Sequence, residues 1–165
     1  MASIPLAILG AMPDPTAANA PQIGFNSGSN RPYLAFDAAT DQRAVWTFRL
    51  PDDYSSTPEL HIQWGADTAT TGNVVWATEV MALTPNTDTG DVETDSYDTA
   101  NSSTDGHLGT TAGRVHEITT SLTNFDSAAA GDYVAIRLSR DADNASDTMS
   151  GDAFVHSVEF EYTTA

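Results

Sequence analysis

The chain has 165 residues, which is enough for one domain with a sizeable hydrophobic core. Its 23 acidic residues outnumber six basic ones, and the formal charge of -17 argues against binding to nucleic-acid phosphates or to an anionic membrane surface. The chain contains no cysteine, which excludes disulfides, thiolate zinc sites and cysteine nucleophiles.

The first 32 residues differ in pattern from the rest of the chain. They contain five prolines, which interrupt helices and strand ladders, and a glycine- and asparagine-rich stretch at 24–30. Residues 1–32 are therefore predicted to form an extended arm that docks onto another subunit or onto its own domain, and a disordered terminus is the alternative. The partner-binding residues expected at its apolar tip are Ile4, Pro5, Leu6, Ile8 and Leu9.

The opening sequence MASIPLAILG has no basic stretch, and its apolar run is too short to span a bilayer. We therefore expect neither a secretory signal nor a membrane anchor.

From Tyr33 onward, apolar and polar residues alternate in short runs, as is typical of half-buried antiparallel strands. Glycine, proline, asparagine and aspartate separate the runs and indicate turns. Residues 86–113 form a long polar passage, which either is functional or hides a short strand. The predicted strands are 33–37, 43–50, 59–65, 74–83, 113–122, 133–139 and 154–162.

The last two strands carry the clearest alternation. Val134, Ile136 and Leu138 are expected on one face of the first of them. In the second, one face is expected to carry Phe154, His156, Val158, Phe160 and Tyr162. The three tryptophans lie within similar alternations, so we expect Trp46, Trp64 and Trp76 in the core rather than on a binding surface.

Seven or eight strands without an amphipathic helix predict an all-β, antiparallel β-sandwich at 33–165. A jelly roll fits best, because eight strands combine with an arm and long end loops. An immunoglobulin-like sandwich is the alternative, although its Cys-Trp-Cys framework is absent.

One acidic loop is rich in the hard oxygen ligands that calcium prefers. A calcium site there would use Asp141, Asp143, Asn144 and Asp147. The spacing does not match an EF-hand. The competing interpretation is that the aspartate and asparagine side chains hydrogen-bond their own backbone and shape the turn, with Asp141 or Asp143 also able to pair with Arg140 or Arg137. No other cofactor is indicated.

We find no catalytic motif, and we expect no enzyme. No GxSxG elbow is present, and the four histidines are scattered singly. Carboxylates that alternate along strands are interpreted as solvated outer-face residues: Glu79, Glu117, Glu159 and Glu161. The aromatic residues favoured for exposed contacts are Tyr33, Tyr54, Tyr97 and Tyr133.

Four stretches resemble small structural proteins of tailed bacteriophages, in the same order. They are FDAATDQRAVWTFRLPDDY (36–54), TATTGNVVWATEVMAL (68–83), DVETDSYDTAN (91–101) and AAGDYVAIRLSRDADNASDTMSGDAFVHSVEFEYTT (129–164). The N-terminal sequence IPLAILG also resembles the N-termini of these proteins. In the second stretch, Thr70-Thr71-Gly72 departs from the sequence that these proteins have before NVVW.

The resemblance implies a non-enzymatic virion protein, made in the host cytoplasm and placed on the outer surface of the particle. A capsid decoration (cement) protein would bind the major capsid protein, link neighbouring capsomers and associate with itself as a trimer or dimer. The alternative is a tail fibre, spike or vertex module that binds a cell-surface glycan. Neither implies nucleic-acid or membrane binding, and no catalytic residue comes with the resemblance.

Overall fold

A computed structural model describes all 165 residues as eleven β-strands and two single-turn 3₁₀ helices, at Ile8–Gly10 and Ala17–Asn19. Neither helix is long or apolar enough to cross a bilayer. The strands are β1 Ala2–Leu6, β2 Met12–Pro13, β3 Gln22–Phe25, β4 Pro32–Phe36, β5 Gln42–Arg49, β6 Tyr54–Ala66, β7 Asn73–Leu83, β8 Asn101–Gly106, β9 His116–Ser121, β10 Tyr133–Arg140 and β11 Ala153–Thr164.

The strands form two antiparallel sheets that pack face to face as a jelly-roll β-sandwich. The six-stranded sheet has the order β3-β4-β11-β6-β9, and β1 pairs with β11 on the same side as β4. The five-stranded sheet has the order β2-β5-β10-β7-β8. The predicted all-β sandwich is thus confirmed.

The core lies between the sheets and follows the predicted alternation. Val134, Ile136 and Leu138 are all fully buried. The three tryptophans are at most 4 % exposed, and Trp64 and Trp76 meet edge to face. Edge-to-face contacts are a favourable geometry for aromatic rings.

The face predicted for β11 is wrong in its first half. The register against β6 shifts between Val155 and Ser157, where a β-bulge reverses which side chains point inward. Before the bulge, Val155 is buried while Phe154 and His156 are only half-buried; after it, Val158 and the following alternate residues are buried, as predicted.

The prediction of an arm separate from the domain needs correction. β1 pairs along its full length with β11, β2 pairs with β5, and β3 pairs with β4, so residues 2–25 contribute strands to both sheets. The segment docks onto its own domain, which was the second of the two options. The prolines fit because Pro5, Pro13 and Pro32 lie on short or edge strands, where a missing N–H is tolerated.

The long polar passage contains a strand. β8 pairs with β7 from Asn101 to Gly106 and forms an edge of the five-stranded sheet. Its sequence, NSSTDG, has no apolar side chain, and this is why periodicity alone could not locate it.

Arg140 is fully buried and organises the loop between β10 and β11. Its guanidinium donates two hydrogen bonds to the carboxylate of Asp147, at 2.7 and 2.9 Å. It also donates to the carbonyl oxygens of Met149 and Gly151. The Asp147 carboxylate in turn accepts the backbone N–H of Val75 in β7. One buried ion pair therefore ties this loop to β10 and β7 of the five-stranded sheet.

Candidate functional site

The largest groove of the molecule, about 780 Å³, lies at the end of the sandwich where β6 begins and β9 ends. Small-molecule sites typically enclose about 300–1,000 Å³. Three segments form it, namely residues 54–59, residues 121–128 and the single residue Asp98.

Two side chains hold the 121–128 segment in place. The buried amide of Asn101 donates to the carbonyl oxygen of Asn124, and its oxygen accepts the Asn124 N–H at 2.9 Å. Asp98 accepts the N–H of Asp126, whose own carboxylate accepts the N–H of Ala82. The shape of this wall is therefore fixed by side-chain contacts rather than by a strand ladder.

The backbone at the groove is strained. Thr57, Asp126 and Ser127 have φ values of 50°, 50° and 55°, in the left-handed region that residues with a Cβ seldom adopt. Residues in such conformations persist only where the surrounding structure holds them in place, and they are frequent at binding sites.

The groove combines apolar and hydrogen-bonding surfaces. Tyr54 and Phe125 supply tilted rings with centroids 5.7 Å apart, and burial raises the pKa of the Tyr54 phenol. Ser55, Ser56 and Ser127 are exposed and offer hydroxyls. This set can hold a flat, hydroxyl-rich ligand by ring contact and hydrogen bonds.

The groove carries no positive charge. Glu59 and Asp98 are its only ionisable carboxyl groups, and no arginine, lysine or histidine lines it. Carboxylates accept hydrogen bonds from hydroxyls and repel anions. The groove therefore disfavours anionic ligands and suits neutral polar ones.

The structure does not bring the four predicted calcium ligands together. The Asp147 carboxylate forms an ion pair with Arg140, and the Asn144 amide donates to the Asp141 carboxylate. Asp41, from the turn before β5, instead joins Asp141 and Asp143, with carboxylate oxygens within 4.8 Å of one another. The pKa of the Asp143 carboxyl is raised mainly by the negative charge of Asp41. The hydrogen bond between Asp143 and Asp141 raises it further.

The apolar tip of the N-terminal segment is divided between core and solvent. Leu6 and Ile8 are each only 6 % exposed and belong to the core of their own chain, and Ile4 packs against it. Pro5 is exposed, and Leu9 is 61 % exposed. Of these residues, only Pro5 and Leu9 present an exposed surface to a partner.

Only one of the four tyrosines favoured for exposed contacts lies in the groove, and it is Tyr54. Tyr33 stacks on Phe154 with ring centroids 4.3 Å apart, and the Tyr97 ring lies 4.0 Å from the Arg137 guanidinium. Nothing in the sequence around residues 121–128 indicated that this segment faces residues 54–59.

The fold places two of the scattered histidines side by side. The rings of His107 and His116 are 4.4 Å apart, and His116 also stacks on Trp64. His116 is 4 % exposed. Its pKa is lowered mainly by this burial and also by the nearby His107. The Nε2 atom of His116 accepts the N–H of Leu108, so the neutral ring helps to fix the loop after β8.

No protein-family model and no curated protein matches the chain. Among solved structures, it is similar to a carbohydrate-binding module, CBM36, in complex with calcium and xylotriose, at 16 % identity and a TM-score of 0.51, covering 98 % of this chain and 100 % of that one. It is also similar to a module specific for non-crystalline cellulose, CBM28, at 12 % identity and a TM-score of 0.54, covering 93 % and 89 %. A family 35 carbohydrate-binding module from an environmental isolate matches at 13 % identity and a TM-score of 0.50, covering 100 % and 98 %. The chain therefore shares the β-sandwich fold of these modules.

Proposed function

We propose that the protein is a non-enzymatic binding module that holds a neutral glycan in the groove between residues 54–59 and 121–128. The observation that carries this proposal is the groove itself, in which Tyr54 stands beside exposed hydroxyls on a strained and tightly held backbone. A sugar ring offers an apolar C–H face to an aromatic ring and hydroxyls to polar groups, and this groove supplies both.

The charge of the molecule supports a neutral ligand. The formal charge of -17 repels uronic acids and sulfated sugars, and the groove has no cation to counter it. Because the fold neighbours include modules named for xylotriose and cellulose, neutral plant-type polysaccharides are suitable first probes.

Ser55→Arg is expected to weaken glycan binding, because an arginine at this exposed position would fill the groove without disturbing the core. Loss of two or three hydrogen bonds of about 0.5–1.5 kcal/mol each corresponds to a drop in affinity of about fivefold or more. Affinity electrophoresis against soluble xylan and hydroxyethyl cellulose, extended to an array of neutral glycans, provides the measurement.

The matched control is Ser146→Arg, which adds the same charge at an exposed position in the acidic loop outside the groove. It should bind like the unmodified protein. Equal weakening by both variants would point to a general charge effect, and the absence of any retained glycan across the array would overturn the proposal.

A second candidate is a virion surface protein, in which the same domain would bind the major capsid protein and further copies of itself. The four stretches that resemble phage structural proteins favour it, together with the exposed apolar side chains of Leu9 and Met12 in the N-terminal segment. Quantitative mass spectrometry of purified particles tests it. Hundreds of copies per particle would support a decoration role, a few dozen or fewer would support a fibre or vertex role that is compatible with glycan binding, and absence from particles would reject the candidate.

A further inference from the structure

The outer face of the six-stranded sheet carries like charges directly opposite one another. Glu161 in β11 lies across from Glu59 in β6, and Glu159 lies across from His61. Like charges in directly opposed positions destabilise a sheet. No arginine lines this part of the face, whose shallow pocket consists of His61, Gln63, Glu117, Ser157, Glu159 and Glu161.

Three potential ligand atoms converge at this point. One carboxylate oxygen each from Glu59 and Glu161 and one imidazole nitrogen of His61 lie within 4.8 Å of one another. A tetrahedral zinc ion with bonds of about 2.0–2.2 Å separates its ligand atoms by about 3.3 Å, so small side-chain rotations would close the site. The strands hold the backbone of all three residues in register.

The histidine provides an independent observation. Nε2 of His61 is shut off from solvent and has no hydrogen-bond partner, and it faces the Glu161 carboxylate at 3.9 Å. On the opposite side of the ring, Nδ1 lies 3.0 Å from the hydroxyl of Thr119, its neighbour across the β6–β9 ladder. A partner at Nδ1 is the usual way in which a protein orients a metal-binding imidazole and leaves Nε2 free to coordinate.

One carboxylate ligand is oriented in a similar way. The hydroxyl of Ser121, across the ladder on β9, donates to the carboxylate of Glu59 at 3.2 Å. Both β9 contacts therefore hold side chains of β6 in place for the ion. They are the outer contacts that a metal site needs in addition to its direct ligands.

We propose that Glu59, His61 and Glu161 bind a zinc ion on the outer face of the six-stranded sheet, with water completing the coordination. One nitrogen and two carboxylate oxygens suit zinc, whereas calcium takes six to eight oxygens. The ion neutralises the opposed pair of glutamates and gives the orphaned Nε2 atom a partner. The proposal does not depend on glycan binding, and its test uses His61 and Glu161, which do not line the groove.

The test is a zinc titration of the full chain by isothermal calorimetry, repeated with cobalt(II) for its visible absorption. We expect one saturable site and a cobalt spectrum with the intense bands of low coordination. His61→Ala and Glu161→Gln should each abolish both signals. Thr119→Val should retain the site with affinity lowered by about 10–100-fold, since it removes only the contact that orients the ring.

Two controls separate a built site from general acidity. His156→Ala removes a histidine from the same face outside the cluster, and Asp141→Asn weakens the other acidic cluster; both should bind zinc normally. Zinc binding that survives His61→Ala, or a titration without saturation, would overturn the proposal. Near-ultraviolet circular dichroism verifies that each variant is folded.

Discussion

Arg140→Ala is expected to destabilise the protein by about 3–5 kcal/mol, the cost of leaving one partner of a buried ion pair without the other. The side chains of Arg140 and Asp147 are 0 % and 1 % exposed, so water cannot replace the lost contacts. The carbonyl oxygens of Met149 and Gly151 would lose their donors as well. Urea unfolding followed by tryptophan fluorescence measures the loss as a lower midpoint.

Arg49→Ala is the matched control, because Arg49 also pairs with an aspartate, Asp52, but both side chains are exposed. Exposed pairs contribute about 0–1 kcal/mol, so the midpoint should barely move. The double variant Arg140→Met/Asp147→Leu should recover only part of the loss, since an apolar pair leaves no buried charge but still leaves the Val75 N–H and the two carbonyl oxygens unpaired. Similar midpoints for Arg140→Ala and Arg49→Ala would contradict the buried pair.

Leu6→Ala is expected to cost about 2–5 kcal/mol, as for other leucines removed from a packed core. Leu6 ends β1 opposite Val158 and is 6 % exposed. Leu9→Ala, the same substitution three residues later in the chain, provides the comparison. Leu9 is 61 % exposed, so Leu9→Ala should change the unfolding free energy by about 0.5 kcal/mol or less.

The comparison also tests where the N-terminal segment is docked. If the segment bound a neighbouring subunit instead of its own domain, Leu6→Ala would leave the stability of the isolated chain unchanged. A midpoint that depends on protein concentration would likewise indicate docking between copies. Denaturation of both variants at two concentrations distinguishes these outcomes.

Alternation predicted the sheet-forming strands well where one face is apolar and the other polar. In β10, Val134, Ile136 and Leu138 turn inward as expected, because a one-residue slip would bury Arg137. Apolar alternation carries no information about bulges, so the reversal between Val155 and Ser157 was missed. A short strand within residues 86–113 was one of two expectations, but β8 could not be located because its side chains are all polar or absent.

The candidate sites were harder to predict because each depends on strand neighbours that are distant in sequence. Glu161 was interpreted as a solvated outer-face residue, and nothing near it in sequence places it beside His61, 100 positions earlier. The acidic loop raised a calcium hypothesis by its density of oxygen ligands. Its Asp147 instead neutralises Arg140, whose burial no local pattern revealed.

The pairing of β1 with β11 has a consequence for how the chain acquires its structure during synthesis. Ala2 lies opposite Tyr162, so β1 leaves the ribosome long before its partner strand β11 has been made. At about 5–20 residues per second, Leu6 and Ile8 remain uncovered for many seconds. β1 can thus dock only after β11 has been made, and until then these apolar side chains are accessible to chaperones or to a second nascent copy.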